Sequence, residues 1–325
     1  MKNKILFTLV WLVASYFFYE FFKSVDFARA WKELEKASGG WLICAFLFNF
    51  LILVVWTSLW SVLIPQGIVV SFPRLFQSNC LMSSSCNTLP FPGGHTVGLV
   101  LLAKIAKVKH SIALSILALD QMLEGIVKVM VMILAASFSP LPEQMQMGIK
   151  LFIILIVIFA GSMFYAAHKN PKIKTLKERT SLSKFDNIKG FVAQWIDHLE
   201  LLRNYRVFCL GLILALVMMA LQTLGLWAAQ KSLGQELPFW TTILVMAALN
   251  LAMIFPLTPG NFGVYETTAF LIYKFSGLSA EIALTLAFLQ HICFLIPMVS
   301  TGWIVLFMQF LNSIKTKISE KNCPD

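Results

Sequence analysis

The sequence predicts an all-α, polytopic integral membrane protein with two inverted repeats, each containing a broken, re-entrant helical hairpin. The first reason is composition: 58% of the 325 residues are apolar and 13% are charged, whereas soluble domains carry about 25% charged residues. The mean hydropathy of +0.77 gives the same indication. The second reason is that one apolar stretch in each half is interrupted by proline and glycine.

Six apolar stretches reach the length of about 18 residues that a helix needs to cross a bilayer. They are Ile5–Phe22, Trp41–Ile64, Ser111–Phe138, Met145–His168, Val207–Gln230 and Ser279–Leu311. Lys2 and Lys4 precede the first stretch as in a signal peptide. That stretch exceeds the usual signal core of about 7–15 residues, so we expect a retained helix. We expect no soluble domain.

The basic residues predict the orientation in the membrane. Nine lysines and arginines lie between Lys169 and Arg206, and the C-terminal tail carries three more, whereas residues 139–144 carry none. By the positive-inside rule, the cell inner membrane then holds the protein with both termini in the cytoplasm. Two amphipathic connections, around 27–34 and 188–202, are typical of helices lying in the membrane interface.

The two interrupted stretches, 74–106 and 239–275, resemble each other. The first break reads Leu-Pro-Phe-Pro-Gly-Gly-His over Leu89–His95, and the second places Pro259, Gly260 and Gly263 in the same setting. Each precedes a long helix, and those helices share the tract Ile-Ala-Leu-Ser/Thr, which begins at Ile112 and at Ile282. This offset of 170 residues predicts two repeats, 1–138 and 145–325, in one transmembrane domain.

Three crossings in each half invert the second repeat relative to the first, so the hairpins enter from opposite sides of the membrane. Whether each hairpin is re-entrant or makes two short spans stays open. Gly/Pro-broken segments at matching positions of inverted repeats indicate a transport site near the midplane. Irregular backbone at that depth is tolerated where it is buried in protein or lines a wet cavity.

Charged and polar residues cluster around these breaks. Asp120, Glu124 and Lys128 share one face of a predicted membrane helix, where each charge costs about 2.5–3.5 kcal/mol. Their role has two readings: an ion pair that fixes helix packing, or the charged wall of a head-group or proton pathway. Glu266 follows the second break in the first helical turn, where a carboxylate suits the positive helix end. Capping is the alternative role for Glu266.

Helix starts at the glycines offer free backbone N–H groups that can hold phosphate. The candidate substrate-binding residues are Asn87, Pro92, Gly93, Gly94, His95, Lys104, Asp120, Glu124, Lys128, Asn250, Pro259, Gly260, Asn261, Gly263, Glu266, Lys274, Gln290 and His291. The sequence has no Walker loop, Gly-x-Ser-x-Gly elbow, His-Glu-x-x-His motif or Cys-x-x-Cys pair. We therefore expect no catalytic residue, metal or cofactor, and the protein is predicted not to be an enzyme.

The sequence resembles the membrane region of lysylphosphatidylglycerol synthases, a flippase-like family. Residues Pro256–Glu266 fit its Pro-x-x-Pro-Gly-x-x-Gly-Val-x-Glu pattern, and Asn87, Leu89, Pro90 and Gly94 match in the first half. The resemblance covers nearly the whole chain and implies movement of a lipid between leaflets. The separate soluble domain that attaches lysine to phosphatidylglycerol in the synthase has no counterpart here.

The chain departs from the family pattern at charged positions. Where the family commonly has Glu-Arg-x-x-Asp, this chain has Asp120, Gln121 and Glu124, and where it often has Tyr-Arg, this chain has Gln290 and His291. Gly94-His95 likewise stands where Gly-Glu is common. The arginines of the family pattern are therefore absent from these places.

The leading hypothesis is a lipid translocase that moves a phospholipid or lipid-linked head group between leaflets of a bacterial inner membrane. One alternative is a non-transporting membrane partner of a glycosyltransferase or lipid-modifying enzyme. Another is a proton-coupled transporter of a small solute, which Asp120, Glu124 and His291 favour. The expected partners are membrane lipids, foremost those with anionic head groups; a lipid- or glycan-biosynthesis enzyme and a second copy in a homodimer are candidates, and no nucleic acid is expected.

Overall fold

The computed structural model describes residues 27–65, 67–89, 93–138, 143–169, 204–254 and 258–321. Every regular element in this part of the chain is a helix, which confirms the all-α prediction. The helices are α1 (Phe27–Glu35), α2 (Gly39–Leu63), α3 (Phe72–Thr88), α4 (Gly93–Ile105), α5 (His110–Phe138), α6 (Glu143–Lys169), α7 (Tyr205–Ser232), α8 (Phe239–Ala252), α9 (Val264–Phe275) and α10 (Ala280–Lys321). A short 3-10 turn, Pro259–Asn261, lies between α8 and α9.

Four of the described helices are long and apolar enough to cross a membrane. These spans are Gly39–Leu63, Met145–Ala166, Tyr205–Ser232 and Ala280–Ser313. Helix α5 has 29 residues, a length of about 43 Å at 1.5 Å per residue, which also exceeds the thickness of a bilayer core. Its three charged residues set it apart from the four. The predicted spanning helix Ile5–Phe22 and the amphipathic segment 188–202 lie outside the described residues.

Local sequence explains where several helices begin. Helix α3 starts after Ser71 with Pro73 in its first turn, where the missing N–H of proline costs no hydrogen bond. Helix α7 starts at Asn204, whose side-chain oxygen accepts a hydrogen bond of 3.1 Å from the backbone N–H of Arg206. Helix α9 starts at Gly263, whose N–H donates to the Glu266 carboxylate. The capping role considered for Glu266 is therefore present.

The two interrupted stretches form two hairpins. The first hairpin consists of α3 and α4, and the second of α8, the 3-10 turn and α9; the two helices of each hairpin pack against each other. Helix α10 packs on α3, and α5 packs on α8. The most extensive contact between helices joins α2 and α7, so these two helices form the centre that carries both hairpins.

The contacts between helices follow the predicted repeat. The offset of 170 residues pairs α2 with α7, α3 with α8, α4 with α9 and α5 with α10. Exchanging these partners turns the contact of α10 with α3 into that of α5 with α8, and that of α9 with α10 into that of α4 with α5. The inverted orientation of the halves and the re-entrant character of the hairpins stay predictions.

Helix α3 is polar and packs inside the protein. Its residues Ser78, Asn79, Ser83 and Ser84 are buried. The Asn79 side-chain amide donates a 3.2 Å hydrogen bond to the hydroxyl of Thr57 on α2. Buried polar groups need such partners, because water is absent from the lipid core. A polar segment in this apolar chain is thus accommodated between α2 and α10.

Candidate functional site

A cavity of about 600 Å³ lies between the two hairpins and is lined from both halves of the chain. This volume is within the range of roughly 300–1,000 Å³ that is common for ligand sites. Its polar lining residues are Ser83, Asn87, His95, Gln121, Glu124, Lys128, Gln222, Asn250 and Asn261. Six of the predicted site residues, Asn87, His95, Glu124, Lys128, Asn250 and Asn261, therefore share one cavity.

The charged wall of the cavity is formed by α5. The Lys128 ammonium donates to the Glu124 carboxylate at 3.0 Å, four residues away on the same helix face. Both side chains keep part of their surface accessible, 28% for Lys128 and 22% for Glu124. They line the cavity, so a ligand there meets a carboxylate and an ammonium side by side.

Asp120 lies one turn before this pair and is fully buried. Its two carboxylate oxygens accept from the indole N–H of Trp56 on α2 at 3.1 and 3.2 Å. Trp56 itself lines the cavity, whereas Asp120 does not. Asp120 therefore stands behind the wall and fixes the position of a lining side chain.

The wall contributed by α10 is apolar. Phe294 and Met298 line the cavity from this helix. They are the counterparts of Glu124 and Lys128 at the offset of 170 residues. The same stretch of the two predicted repeats thus presents charge from the first half and hydrocarbon from the second. The cavity is amphipathic from wall to wall.

Helix α6 separates the cavity from the outer surface of the protein. Phe152, Ile156 and Phe159 line the cavity from this helix. Exposed residues on its other faces are all apolar or small over much of its length, with Leu155 and Ile158 more than half exposed. A Cβ atom at Gly125 of α5 would overlap the Ile156 side chain, so α5 and α6 approach closely at this point. Only this single helix layer separates Phe152 and Ile156 from lipid.

The break of the second hairpin contacts the first hairpin directly. Gly260 has a φ of 60°, which glycine adopts without strain. A Cβ atom there would lie 3.0 Å from the carbonyl oxygen of Asn87 on α3. Asn261 follows with a φ of 56° and lines the cavity. Its side-chain oxygen is buried without a hydrogen-bond partner among the described residues.

Glu266 and His291 form a buried pair away from this cavity. The Nδ1 atom of His291 on α10 lies 2.6 Å from Oε1 of Glu266, and Oε2 of Glu266 accepts from Gly263 N–H at 2.6 Å. The His291 ring stacks on the Tyr265 ring with centroids 4.2 Å apart. Both pair members are at most 3% exposed at their side chains. The geometry gives them a role in joining the second hairpin to α10.

Gln290 also connects elements of the second half. Its side-chain amide donates to the backbone carbonyl of Leu226 on α7 at 3.0 Å and to the hydroxyl of Tyr273 on α9. The contact from Gln290 to Leu226 is the counterpart of that from Asp120 to Trp56, since both pairs of positions differ by 170. The Gln290 side-chain oxygen has no protein partner and lines a small pocket of about 10 Å³, the space of about one water molecule.

The remaining predicted residues do not line the cavity. Lys104 and Lys274 are exposed in the last turns of α4 and α9, where a cation suits the helix end. Gly94 packs against the backbone of Cys86, and Gly93, Pro259 and Gly263 shape the two breaks. Pro92 lies outside the described residues. The 18 sequence candidates thus divide into a lining group, a supporting group and two lysines at helix ends.

Sequence reasoning missed several lining residues. Trp56 and Gln222 come from α2 and α7, which read only as spanning helices. Phe294 and Met298 are apolar residues in an apolar chain and carry no signal of their own. The offset of 170 residues applied to Glu124 and Lys128 would have pointed to them.

The fold and the cavity define a multi-pass membrane protein with a polar chamber among its helices. Residues 4–302 match the family model described as the lysylphosphatidylglycerol synthase TM region. The chain belongs to this family. It is also similar to a UPF0104 membrane protein of Methanothermobacter thermautotrophicus, with 23% identity over 287 residues that cover 80% of this chain and 81% of the relative.

Proposed function

We propose that this protein is a lipid translocase that passes a lipid head group through the cavity between its hairpins. The observation that carries the proposal is the contrast between the two walls: Glu124 and Lys128 on α5 face Phe294 and Met298 on α10. A head group needs polar partners when it leaves water, and the acyl chain next to it needs an apolar surface. An amphipathic ligand satisfies both walls at once. The transfer makes and breaks no covalent bond, so the proposal assigns no enzymatic role.

The acyl chains stay in the bilayer during transfer. Helix α6 is the element through which the cavity reaches lipid, because it lines the cavity on one side and exposes Leu155 and Ile158 on another. Small displacement of α6 from Gly125 on α5 opens a lateral slot. A head group then moves inside the protein while its tails slide along the membrane-facing surface.

The predicted inverted repeat supports access from both leaflets. The paired contacts of α10 with α3 and of α5 with α8 give each hairpin an equivalent support from the opposite half. Two hairpins that enter from opposite sides can release a head group alternately to each leaflet, as in transporters built from inverted repeats. We place the protein in the inner membrane with both termini in the cytoplasm, following the distribution of lysine and arginine.

Leaflet exchange in liposomes tests the proposal. Purified protein is reconstituted with lipids labelled on an acyl chain with a fluorophore, and dithionite is added to bleach the outer leaflet. We expect a second, protein-dependent phase of bleaching for at least one lipid class, with or without an imposed proton gradient. Absence of that phase for every lipid class under both conditions would remove the proposal.

A pair of matched variants links the activity to the cavity. Lys128→Gln removes the ammonium from the wall while Lys150→Gln removes an exposed lysine from α6 that does not line the cavity. We expect Lys128→Gln to slow exchange by about tenfold or more, since a hydrogen bond to a charged group contributes about 1.5–3 kcal/mol. Lys150→Gln is expected to keep the wild-type rate.

A further inference from the structure

The cavity wall carries one positive and one negative side chain and therefore has no net formal charge. Glu124 and Lys128 are the Lys, Arg, Asp and Glu residues that line it. Their ion pair is 3.0 Å long, and both partners are partly accessible. A ligand can therefore reach the two charges without unfolding any part of the wall.

We propose that the head group moved by this protein is zwitterionic, with an amine and a phosphate, as in phosphatidylethanolamine. This inference rests on the proposed translocase function and narrows its substrate from the anionic lipids that the sequence suggested. In the cavity, the lipid amine pairs with Glu124 and the lipid phosphate pairs with Lys128. Each member of the ion pair exchanges one partner of opposite charge for another.

Partner exchange explains why a purely anionic head group fits less well. Its phosphate would take Lys128 and leave the Glu124 carboxylate without a cation beside a second negative group. An uncompensated charge in a site of low dielectric is costly. A zwitterionic head group leaves no such charge, because its own amine replaces the ammonium that the phosphate withdraws.

The surroundings of the pair place the two ligand charges on different sides. Asp120 lies one turn from Glu124 and behind Trp56, so carboxylates concentrate toward the N-terminal side of the pair. His95 lies in the first turn of α4 and lines the cavity, and this helix end carries free N–H groups that suit phosphate. The unpartnered side-chain oxygen of Asn261 adds an acceptor for an amine at the second hairpin.

The test compares exchange rates for three lipids with the same fluorescent acyl chain. Phosphatidylethanolamine offers an amine with N–H donors, phosphatidylcholine offers a cation without N–H donors, and phosphatidylglycerol offers the phosphate alone. We expect phosphatidylethanolamine to exchange about tenfold faster than phosphatidylglycerol, with phosphatidylcholine between them. Equal rates for all three, or a faster rate for phosphatidylglycerol, would overturn the zwitterion proposal and leave the translocase function standing. No exchange of any lipid would instead remove the function itself.

Variants assign the preference to the carboxylate. Glu124→Gln is expected to lower the phosphatidylethanolamine rate to that of phosphatidylglycerol, while Glu236→Gln, an exposed control between α7 and α8, keeps the wild-type ratio. Exchange of the two residues in Glu124→Lys with Lys128→Glu retains the ion pair and guards against a loss that comes only from misfolding. We expect this double variant to keep a preference for phosphatidylethanolamine. A ratio unchanged in Glu124→Gln would contradict the proposed role of the carboxylate.

Discussion

Oε1 of Glu266 lies 2.6 Å from Nδ1 of His291, while the other oxygen of the same carboxylate accepts a hydrogen bond of 2.6 Å from the backbone N–H of Gly263. One side chain therefore holds the start of α9 and ties it to α10. The contact is buried, since neither side chain is more than 3% exposed. It fixes the second hairpin beside the cavity without entering it.

Replacement of Glu266 is predicted to destabilise the fold. Glu266→Ala leaves His291 and the Gly263 N–H without their partner, and loss of one member of a buried pair costs about 3–5 kcal/mol. Glu266→Gln retains an acceptor for the helix start and is expected to lose less stability. Thermal unfolding of the detergent-solubilised protein measures both. A Glu266→Ala variant as stable as the exposed control Glu236→Gln would contradict the buried link.

Gly94 is predicted to be required for the closed first hairpin. A Cβ atom at Gly94 would lie 2.6 Å from the backbone of Cys86, whereas one at Gly93 would meet nothing closer than 3.8 Å. Gly94→Ala is therefore expected to lower the free energy of unfolding by about 1–3 kcal/mol, and Gly93→Ala to stay within about 0.5 kcal/mol. Thermal stability of the two variants decides. Equal effects would argue against close packing of α3 and α4 at this point.

The cavity is predicted to hold water. In a cysteine-free background, Gln121→Cys places a thiol on an accessible lining position of α5, and Leu119→Cys places one at a position that is 1% exposed. A small water-soluble maleimide is expected to react at least about tenfold faster with the first, because exposure controls thiol reactivity. Mass spectrometry of proteoliposomes measures the rates. Similar rates at both positions would indicate a dry or closed interior.

Helix α6 is predicted to move during transfer. Cysteines in place of Gly125 and Ile156 lie close enough across α5 and α6 to form a disulfide after oxidation. The oxidised protein is expected to lose at least about tenfold in leaflet exchange, because the lateral slot stays closed, and reductant is expected to restore it. The control pair Gly211→Cys with Leu123→Cys joins α7 to α5, at another close contact. Unchanged exchange with α6 locked to α5 would exclude the proposed route.

The hairpin positions were predictable from local sequence. Proline and glycine breaks in apolar stretches predicted hairpins over 74–106 and 239–275, and the helices run from Phe72 to Ile105 and from Phe239 to Phe275. These limits follow from residues that cannot continue a helix, which is a local property. The charged face of α5 followed from a spacing of four residues for the same reason.

The partners of the polar residues were not predictable in this way. Glu266 and His291 are 25 positions apart in the sequence, and their contact depends on how α9 packs on α10. Lys104 and Lys274 looked suitable for anion binding, but their positions at helix ends leave them exposed. Tertiary packing decides these outcomes, and a single sequence carries it only through the internal offset of 170 residues.

The central claim is that a head group passes through the cavity beside α5, and a cavity-filling variant tests it most directly. Gln121→Trp adds bulk at an accessible lining position, while Met130→Trp adds it at an exposed position of the same helix that does not line the cavity. Leaflet exchange of an acyl-labelled phospholipid is measured for both variants and the wild type in proteoliposomes. We predict that exchange falls to the level of empty liposomes for Gln121→Trp and stays at the wild-type rate for Met130→Trp. Wild-type exchange by a folded Gln121→Trp variant would contradict the claim.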